Sequence, residues 1–237
     1  MTYCIGIQVD SGLVFLSDSR TNAGVDHINT FRKMTVFDSP GDRIMVLLTS
    51  GNLAISQAVI NELKQQEHNR LADVTSMVEA ARLIGDALRT VYSRDGEAFK
   101  EFGLDFMASF IFGGQIGHEP PRLFQIYAAG NFIESTRDTP YFQVGESKYG
   151  KPIVDRIVKP DTSLKDAAKC ALISMDSTIR SNLSVGMPLD LLIYEVNSLS
   201  VKTHASIGLD DPYYQQLRMN WSERLRQAFD DMPDITY

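Results

Sequence analysis

Three residues near the start of the chain, Thr2, Asp18 and Lys33, carry side chains that together can split an amide. A threonine directly behind the initiator methionine becomes the N-terminal residue once that methionine is removed. It then holds a hydroxyl and a free α-amine on one residue, a nucleophile with its own base. The α-amine has a reference pKa of about 7.7–8.0, so much of it is neutral near pH 7 and takes the hydroxyl proton directly or through one water. An ammonium held beside it, from Lys33, lowers the amine's pKa by like-charge repulsion and stabilises the ionising threonine oxygen. Asp18 neutralises and positions that lysine.

These residues need elements that bring them together. Tyr3 to Val9 and Leu13 to Ser17 read as two strands, joined at Asp10-Ser11-Gly12 by a tight turn in which Gly12 supplies φ > 0 and the Asp10 carboxylate caps. Such a hairpin returns Asp18 to the side of Thr2. Ser19 to Arg32 is polar and reads as a loop, and Lys33 opens the apolar run Met34 to Phe37. Asp38 to Asp42, with Pro40 and Gly41, is a turn before a strand from Arg43 to Thr49; Gly51 ends it and Asn52 caps a helix to Gln66. Met77, Ala80, Ala81, Ile84, Ala87, Leu88 and Val91 recur at helical spacing until the breaker Arg94-Asp-Gly-Glu.

Strands follow at Asp105 to Gly114, Arg122 to Ala129 and Phe132 to Ser135, the last two joined by a turn at Ala129-Gly130-Asn131. Helices follow at Glu146 to Val158 and Thr162 to Arg180, the second starting at Asp161-Thr162 behind Pro160. Strands close the series at Leu189 to Val196 and Val201 to Ser206. Helices come in pairs and strands in hairpins, and each helix has one apolar stripe needing one sheet to cover. The expectation is an α+β fold, a four-layer αββα sandwich of two antiparallel sheets with a helix pair on each outer face.

Thr2, the strand end Ser17-Asp18-Ser19-Arg20-Thr21 and Lys33 ahead of an apolar strand resemble the N-terminal signature of proteasome-type β-subunits, a family of N-terminal-nucleophile hydrolases. The wording Ser-Asp-Ser-Arg-Thr-Asn-Ala-Gly-Val-Asp, Thr-Phe-Arg-Lys-Met and Thr49-Ser-Gly-Asn-Leu-Ala54 is similar to the bacterial branch called Anbu. By element order the resemblance spans about the first two hundred residues, and it implies the same four-layer sandwich. It also implies that Thr2, Asp18 and Lys33 are catalytic. In that family the turn after the strand lends a backbone N–H to an oxyanion hole, which points to Gly51, Ser50 and Thr49; small residues there allow donors about 3 Å from the developing oxyanion.

Two further family motifs depart from pattern. The usual Gly-Ser-Gly lines up with Gly145-Glu146-Ser147, so the hydroxyl comes one position later from Ser147 or Glu146 stands in its place. The usual Asp-x-x-Ser-Gly lines up with Ser181-Asn182-Leu183-Ser184-Val185-Gly186: the aspartate is missing and Ser184 remains. The network holding the amine and Lys33 therefore differs from the family's.

At 237 residues and 43% hydrophobic content, one domain can bury a full core. The net charge of −7, from 30 acidic and 23 basic residues with no basic block, argues against nucleic acid or an anionic membrane as the main partner. No apolar run approaches the ~20 residues needed to span a bilayer, and Met-Thr-Tyr-Cys lacks the regions of a signal peptide, so a cytoplasmic location is expected. Cys4 and Cys170 have no paired spacing, and His27, His68, His118 and His204 are scattered, so no disulfide, metal or organic cofactor is implied. Cys4 reads as a buried strand residue and the histidines as surface or loop positions.

Residues 1–207 are expected to form the hydrolase domain and 208–237 a C-terminal helical extension. There Tyr213, Leu217, Trp221, Leu225 and Phe229 recur about every four residues. So large an apolar stripe covers the chain's own core or a neighbouring subunit. The resembling family works as rings or stacked rings, which favours the neighbour.

The residues thus point to a threonine peptidase in a homo-oligomer, with peptide or unfolded protein as substrate and no ATPase partner named by the sequence. A scaffold whose site has decayed and a narrow amidase of small substrates are the competing readings.

Overall fold

The computed structural model describes residues 2–22, 28–65 and 70–237. In chain order its strands are β1 (Tyr3–Val9), β2 (Gly12–Asp18), β3 (Arg20–Asn22), β4 (Ile28–Thr30), β5 (Met34–Ser39), β6 (Arg43–Gly51), β7 (Ala108–Ile116), β8 (Arg122–Ile126), β9 (Phe132–Glu134), β10 (Tyr141–Gly145), β11 (Leu189–Glu195) and β12 (Thr203–Ile207). The helices are α1 (Leu53–Gln65), α2 (Arg70–Asp73), α3 (Met77–Glu101), α4 (Lys151–Ile157), α5 (Leu164–Ser181) and α6 (Pro212–Asp230).

Two five-stranded antiparallel sheets, ordered β10-β1-β2-β11-β12 and β5-β6-β7-β8-β9, stack face to face. Alternation along each strand sorts its side chains into separate apolar layers. Cys4, Phe15 and Leu192 of the first sheet meet Val46, Leu48 and Ile111 of the second between the sheets. Ile5, Val14 and Leu16 point the other way, onto Ala168, Leu172 and Met175 of α5. Leu47, Phe110 and Phe124 face Ile55, Val59, Ile84 and Leu88 of α1 and α3. The expected four-layer α+β sandwich is therefore the observed architecture.

The β1–β2 turn forms as expected from Gly12, whose φ of +147° would be strained for other residues and whose absent β-carbon would lie 2.0 Å from the Tyr194 carbonyl oxygen. The Asp10 carboxylate does not cap this turn; it accepts from Arg137 at 2.7 Å. Asn52 does cap α1, its Oδ1 accepting from the Ala54 N–H at 2.9 Å.

Several boundaries differ from expectation. The segment read as a loop before Lys33 contains the short β3–β4 ladder. α3 runs through the expected breaker to Glu101, because Gly96 sits under the Tyr92 ring and the next turn is held by Phe99 against Phe106. The expected helix from Glu146 is a 3₁₀ turn, Ser147–Tyr149, followed by α4, with Pro152 in the first turn where its missing N–H costs nothing. The cap of α5 is Ser163, accepting from the Asp166 N–H, not Asp161 or Thr162. β10 and α2 had no counterpart in the sequence reading.

α6 lies beside α5 through its first half. Tyr214 is buried, Leu217 packs on the same apolar layer, and Arg218 Nε donates to Asp176 Oδ1 at 2.5 Å. From Glu223 to Asp230 every residue is exposed.

Candidate active site

The hairpin register Cys4↔Ser17 places Asp18 beside Tyr3, and the Tyr3 N–H donates to Asp18 Oδ1 at 3.0 Å. Thr2 thus sits directly against Asp18 at the open end of the first sheet. Lys33, just ahead of β5 in the second sheet, reaches across: its Nζ donates to Asp18 Oδ1 at 2.6 Å and to the Arg20 carbonyl at 2.7 Å. The three residues predicted to act together are therefore assembled from two sheets, and all are buried, with Thr2 5%, Asp18 0% and Lys33 4% exposed.

Burial pushes the Asp18 carboxyl up, while Lys33 and the N–H groups of Tyr3 and Gly186 pull it down. Close contact with Lys33 and these extra donors on the carboxylate offset part of the cost of burying it. The Thr2 hydroxyl has no hydrogen-bond partner among the described residues, so no contact ties up its lone pairs.

The far side of Thr2 is formed by the end of β10. Tyr3 pairs with Gly145, and the Glu146 N–H donates to the Thr2 carbonyl at 2.8 Å. Gly145 has φ +85°; a β-carbon there would lie 1.8 Å from the Thr2 oxygen and 3.3 Å from Ser50 Oγ. Glycine is what lets its backbone, the Thr2 backbone and the Ser50 hydroxyl converge there. Ser50 and Glu146 are thereby brought to Thr2. Gly51, at φ +106°, packs on the Met107 carbonyl, which accepts from the Asn52 N–H at 2.8 Å. Thr49 backs Lys33, its N–H donating to the Lys33 carbonyl at 2.9 Å.

Ser147 begins the 3₁₀ turn and Ser181 is exposed at the end of α5; no hydrogen bond links either to Thr2, Asp18 or Lys33. Ser184 is half-buried, its N–H held by Asn182 Oδ1 at 2.9 Å in the turn that leads to Gly186. Gly186 itself donates its N–H to Asp18 Oδ2 at 3.2 Å. The sequence reading missed Arg20, Gly145 and Gly186 as site residues. Each reaches the site through its backbone, Arg20 with its side chain on the 182–186 turn as well, and the one available signal was Arg20's position two residues beyond Asp18.

Cys4 is buried behind Thr2, donates its thiol to the Thr49 carbonyl at 3.6 Å, and burial pushes that thiol up, so it stays neutral and is no rival nucleophile. Cys170 is likewise free and buried, its thiol pushed up to about 12. His118 and His204 are exposed, while His27 and His68 lie outside the described residues, as does Met1. Among the described residues no cluster of three or more His, Cys, Asp or Glu is placed to hold a metal, and no helix is long and apolar enough to cross a membrane.

The chain has relatives among known proteins. Residues 2–193 match the model of the family described as Proteasome subunit. The proteasome subunit beta 2 of Pyrobaculum calidifontis is 24% identical over 200 residues, covering 81% of this chain and 88% of its own. Among solved structures, the Anbu (ancestral beta-subunit) of Yersinia bercovieri is 50% identical with a TM-score of 0.92, covering 99% of both chains. The Pseudomonas aeruginosa Anbu, solved as a helical assembly, is 48% identical with a TM-score of 0.93, covering 99% of this chain and 98% of its own. A chain with these matches along nearly its whole length belongs to the proteasome-subunit family, and within it to the Anbu branch of β-subunits.

Proposed function

We propose that the chain is an N-terminal-threonine peptidase, active once Met1 is removed. The observation that carries this reading is the buried Lys33–Asp18 pair, at 2.6 Å, held against the Thr2 backbone by the Tyr3 N–H. The Thr2 amine takes the hydroxyl proton, Oγ attacks the amide carbon, and the amine returns the proton to the leaving nitrogen. The product is an acyl-enzyme ester, which water hydrolyses to the carboxylic acid and free Thr2 with the same amine as base. Lys33 stabilises negative charge and keeps the amine's pKa low; Asp18 orients Lys33. With the Thr49 N–H taken by the Lys33 carbonyl, the turn at Ser50 and Gly51 supplies the oxyanion donor, and Glu146 takes the place of the family's serine beside Thr2. Peptides or unfolded proteins are the substrates, and the cytoplasm is the expected compartment.

The assembly is a homo-oligomer. A relative solved as a helical assembly supports this, and so does the outer half of α6, which presents Leu225 and Phe229 at 50% and 77% exposure. Within the extension 208–237, the first half of α6 docks on α5 and the outer half, from Glu223, then serves subunit contact.

Intact mass together with turnover of a fluorogenic peptide tests the reading. Active protein should lack one methionine. Turnover by protein that keeps Met1 entirely would rule out the terminal-amine mechanism. A non-catalytic scaffold is the reading favoured by one departure, Ser181 in place of the family's aspartate; it predicts no turnover and no labelling of Thr2 in correctly processed protein.

A further inference from the structure

Arg20 has an unusual set of contacts for a charged residue beside a reactive centre. Its carbonyl accepts from Lys33 Nζ at 2.7 Å, while its side chain turns to the 182–186 turn, where Nη1 donates to the Leu183 carbonyl at 2.9 Å. The guanidinium lies flat on Gly186: a β-carbon at 186 would sit 2.3 Å from Cζ, 2.4 Å from Nε and 2.7 Å from Nη2. No carboxylate pairs with Arg20 among the described residues, and its buried Nε has no partner. A guanidinium with no carboxylate partner among the described residues and a buried orphan Nε costs stability, so its position needs a compensating role.

We propose that Arg20 is a positioning residue that sets the Asp18–Lys33 pair from two sides, a role that rests on the Thr2 reading above only for its effect on rate. The contacts close a ring. Lys33 Nζ bonds Asp18 Oδ1, Asp18 Oδ2 accepts from the Gly186 N–H at 3.2 Å, Gly186 packs on the Arg20 guanidinium, and the Arg20 carbonyl returns to Lys33 Nζ. The turn is stiff within itself, because Asn182 Oδ1 accepts from the Ser184 N–H and the Val185 N–H donates to the Asn182 carbonyl at 3.2 Å. It therefore moves as a unit; Ser19 anchors its far end, donating its N–H to the Pro188 carbonyl at 3.0 Å, and the guanidinium holds the part around Gly186 toward Asp18. Without that clamp the Gly186 N–H leaves Asp18 Oδ2, the carboxylate is free to rotate, and Lys33 loses its fixed place. A flat, forked group is required, so lysine does not substitute.

The test uses the whole oligomer with Arg20→Lys, Arg20→Met, Gly186→Ala and the double variant Arg20→Met/Gly186→Ala. Acetic anhydride labelling of Lys33, compared with exposed Lys202 across pH and read by mass spectrometry, reports on the pair without needing a reactive Thr2. Labelling of Thr2 by a peptide electrophile across pH reports on its chemistry. Lys33 should acetylate about tenfold faster in Arg20→Met and in Arg20→Lys, and Gly186→Ala should cost nothing once the guanidinium is gone. The pH profile of Thr2 labelling should shift in the same variants. Unchanged Lys33 acetylation in folded Arg20→Met, or effects of Arg20→Met and Gly186→Ala that simply multiply, would overturn the clamp. Wild type that never labels at Thr2 would instead sink the peptidase reading and leave the acetylation result to decide this one.

Discussion

Lys33 Nζ and Asp18 Oδ1 meet at 2.6 Å with the lysine 4% and the aspartate 0% exposed, so each is the other's replacement for water. Removing one partner of such a pair strands the other, which typically costs about 3–5 kcal/mol. Lys33→Met should therefore lower stability, and Lys33→Met/Asp18→Asn should recover much of it, since no charge is then left buried. On the catalytic reading Lys33→Met also cuts turnover about a hundredfold or more and moves the apparent activity pKa up toward the ordinary amine value of about 7.7–8.0. Asp18→Asn should cost turnover less, because the ammonium stays, although it too strands a buried charge and lowers stability. A pH–rate profile with circular dichroism decides it: a folded Lys33→Met that keeps both rate and profile makes the pair structural.

Thr2→Ala removes a hydroxyl with no hydrogen-bond partner among the described residues, so stability should change by less than about 1 kcal/mol. Peptide turnover and electrophile labelling should vanish while the oligomer keeps its size. Turnover that persists in Thr2→Ala would place the nucleophile elsewhere.

A third expectation concerns α6, whose two halves have different environments. Cutting after Gly208 would strip Tyr214 from the α5 layer and leave Asp176 without Arg218, so it would damage the subunit itself. Cutting after Ser222 removes only exposed residues. It should leave the melting temperature within a few degrees and shift sedimentation to smaller species. Unchanged assembly size would show that the outer half of α6 bridges nothing.

How much of this was legible in sequence depended on where each partner lies. Thr2, Asp18 and Lys33 could be grouped because a tight turn at Gly12 fixes the hairpin register and Asp18 follows from it. Gly145 and Gly186 could not, since what they contribute is a backbone N–H or a missing β-carbon delivered from more than 140 residues away. β10 was missed for a related reason: five residues after a turn become a strand only because β1 offers an edge. In α6 a four-residue spacing advances about 40° per step around a helix with 3.6 residues per turn, so Tyr213 to Phe229 winds across several faces. Hence Tyr213 is 57% exposed, and its neighbour Tyr214 is the residue that docks.

Asp190 gives the clearest dependence on pH. It pairs in register with Ser17 on the inter-sheet side, it is 3% exposed, and both Asp190 Oδ2 and Ser17 Oγ are buried without partners. Burial pushes its carboxyl up; Arg32 and His204 pull the other way without matching it. A carboxyl raised above its unfolded value of about 3.9 contributes stability that is fully present below that value and lost as pH rises through the folded one. Wild type should thus weaken between about pH 4 and neutrality, and Asp190→Asn, which cannot ionise, should not. The amide also brings donors suited to Ser17 Oγ. At pH 4 the two proteins should melt together. By pH 7 the variant should lead by about 1 kcal/mol, roughly 2–4 °C for a chain of this size. Adding His204→Gln should widen the gap, because it removes one of the two groups that favour the charged form. Melting curves from pH 4 to 8 at fixed ionic strength measure it, and a wild type more stable than Asp190→Asn at pH 7 would mean that the carboxylate is satisfied by a partner stronger than Arg32 and His204 provide.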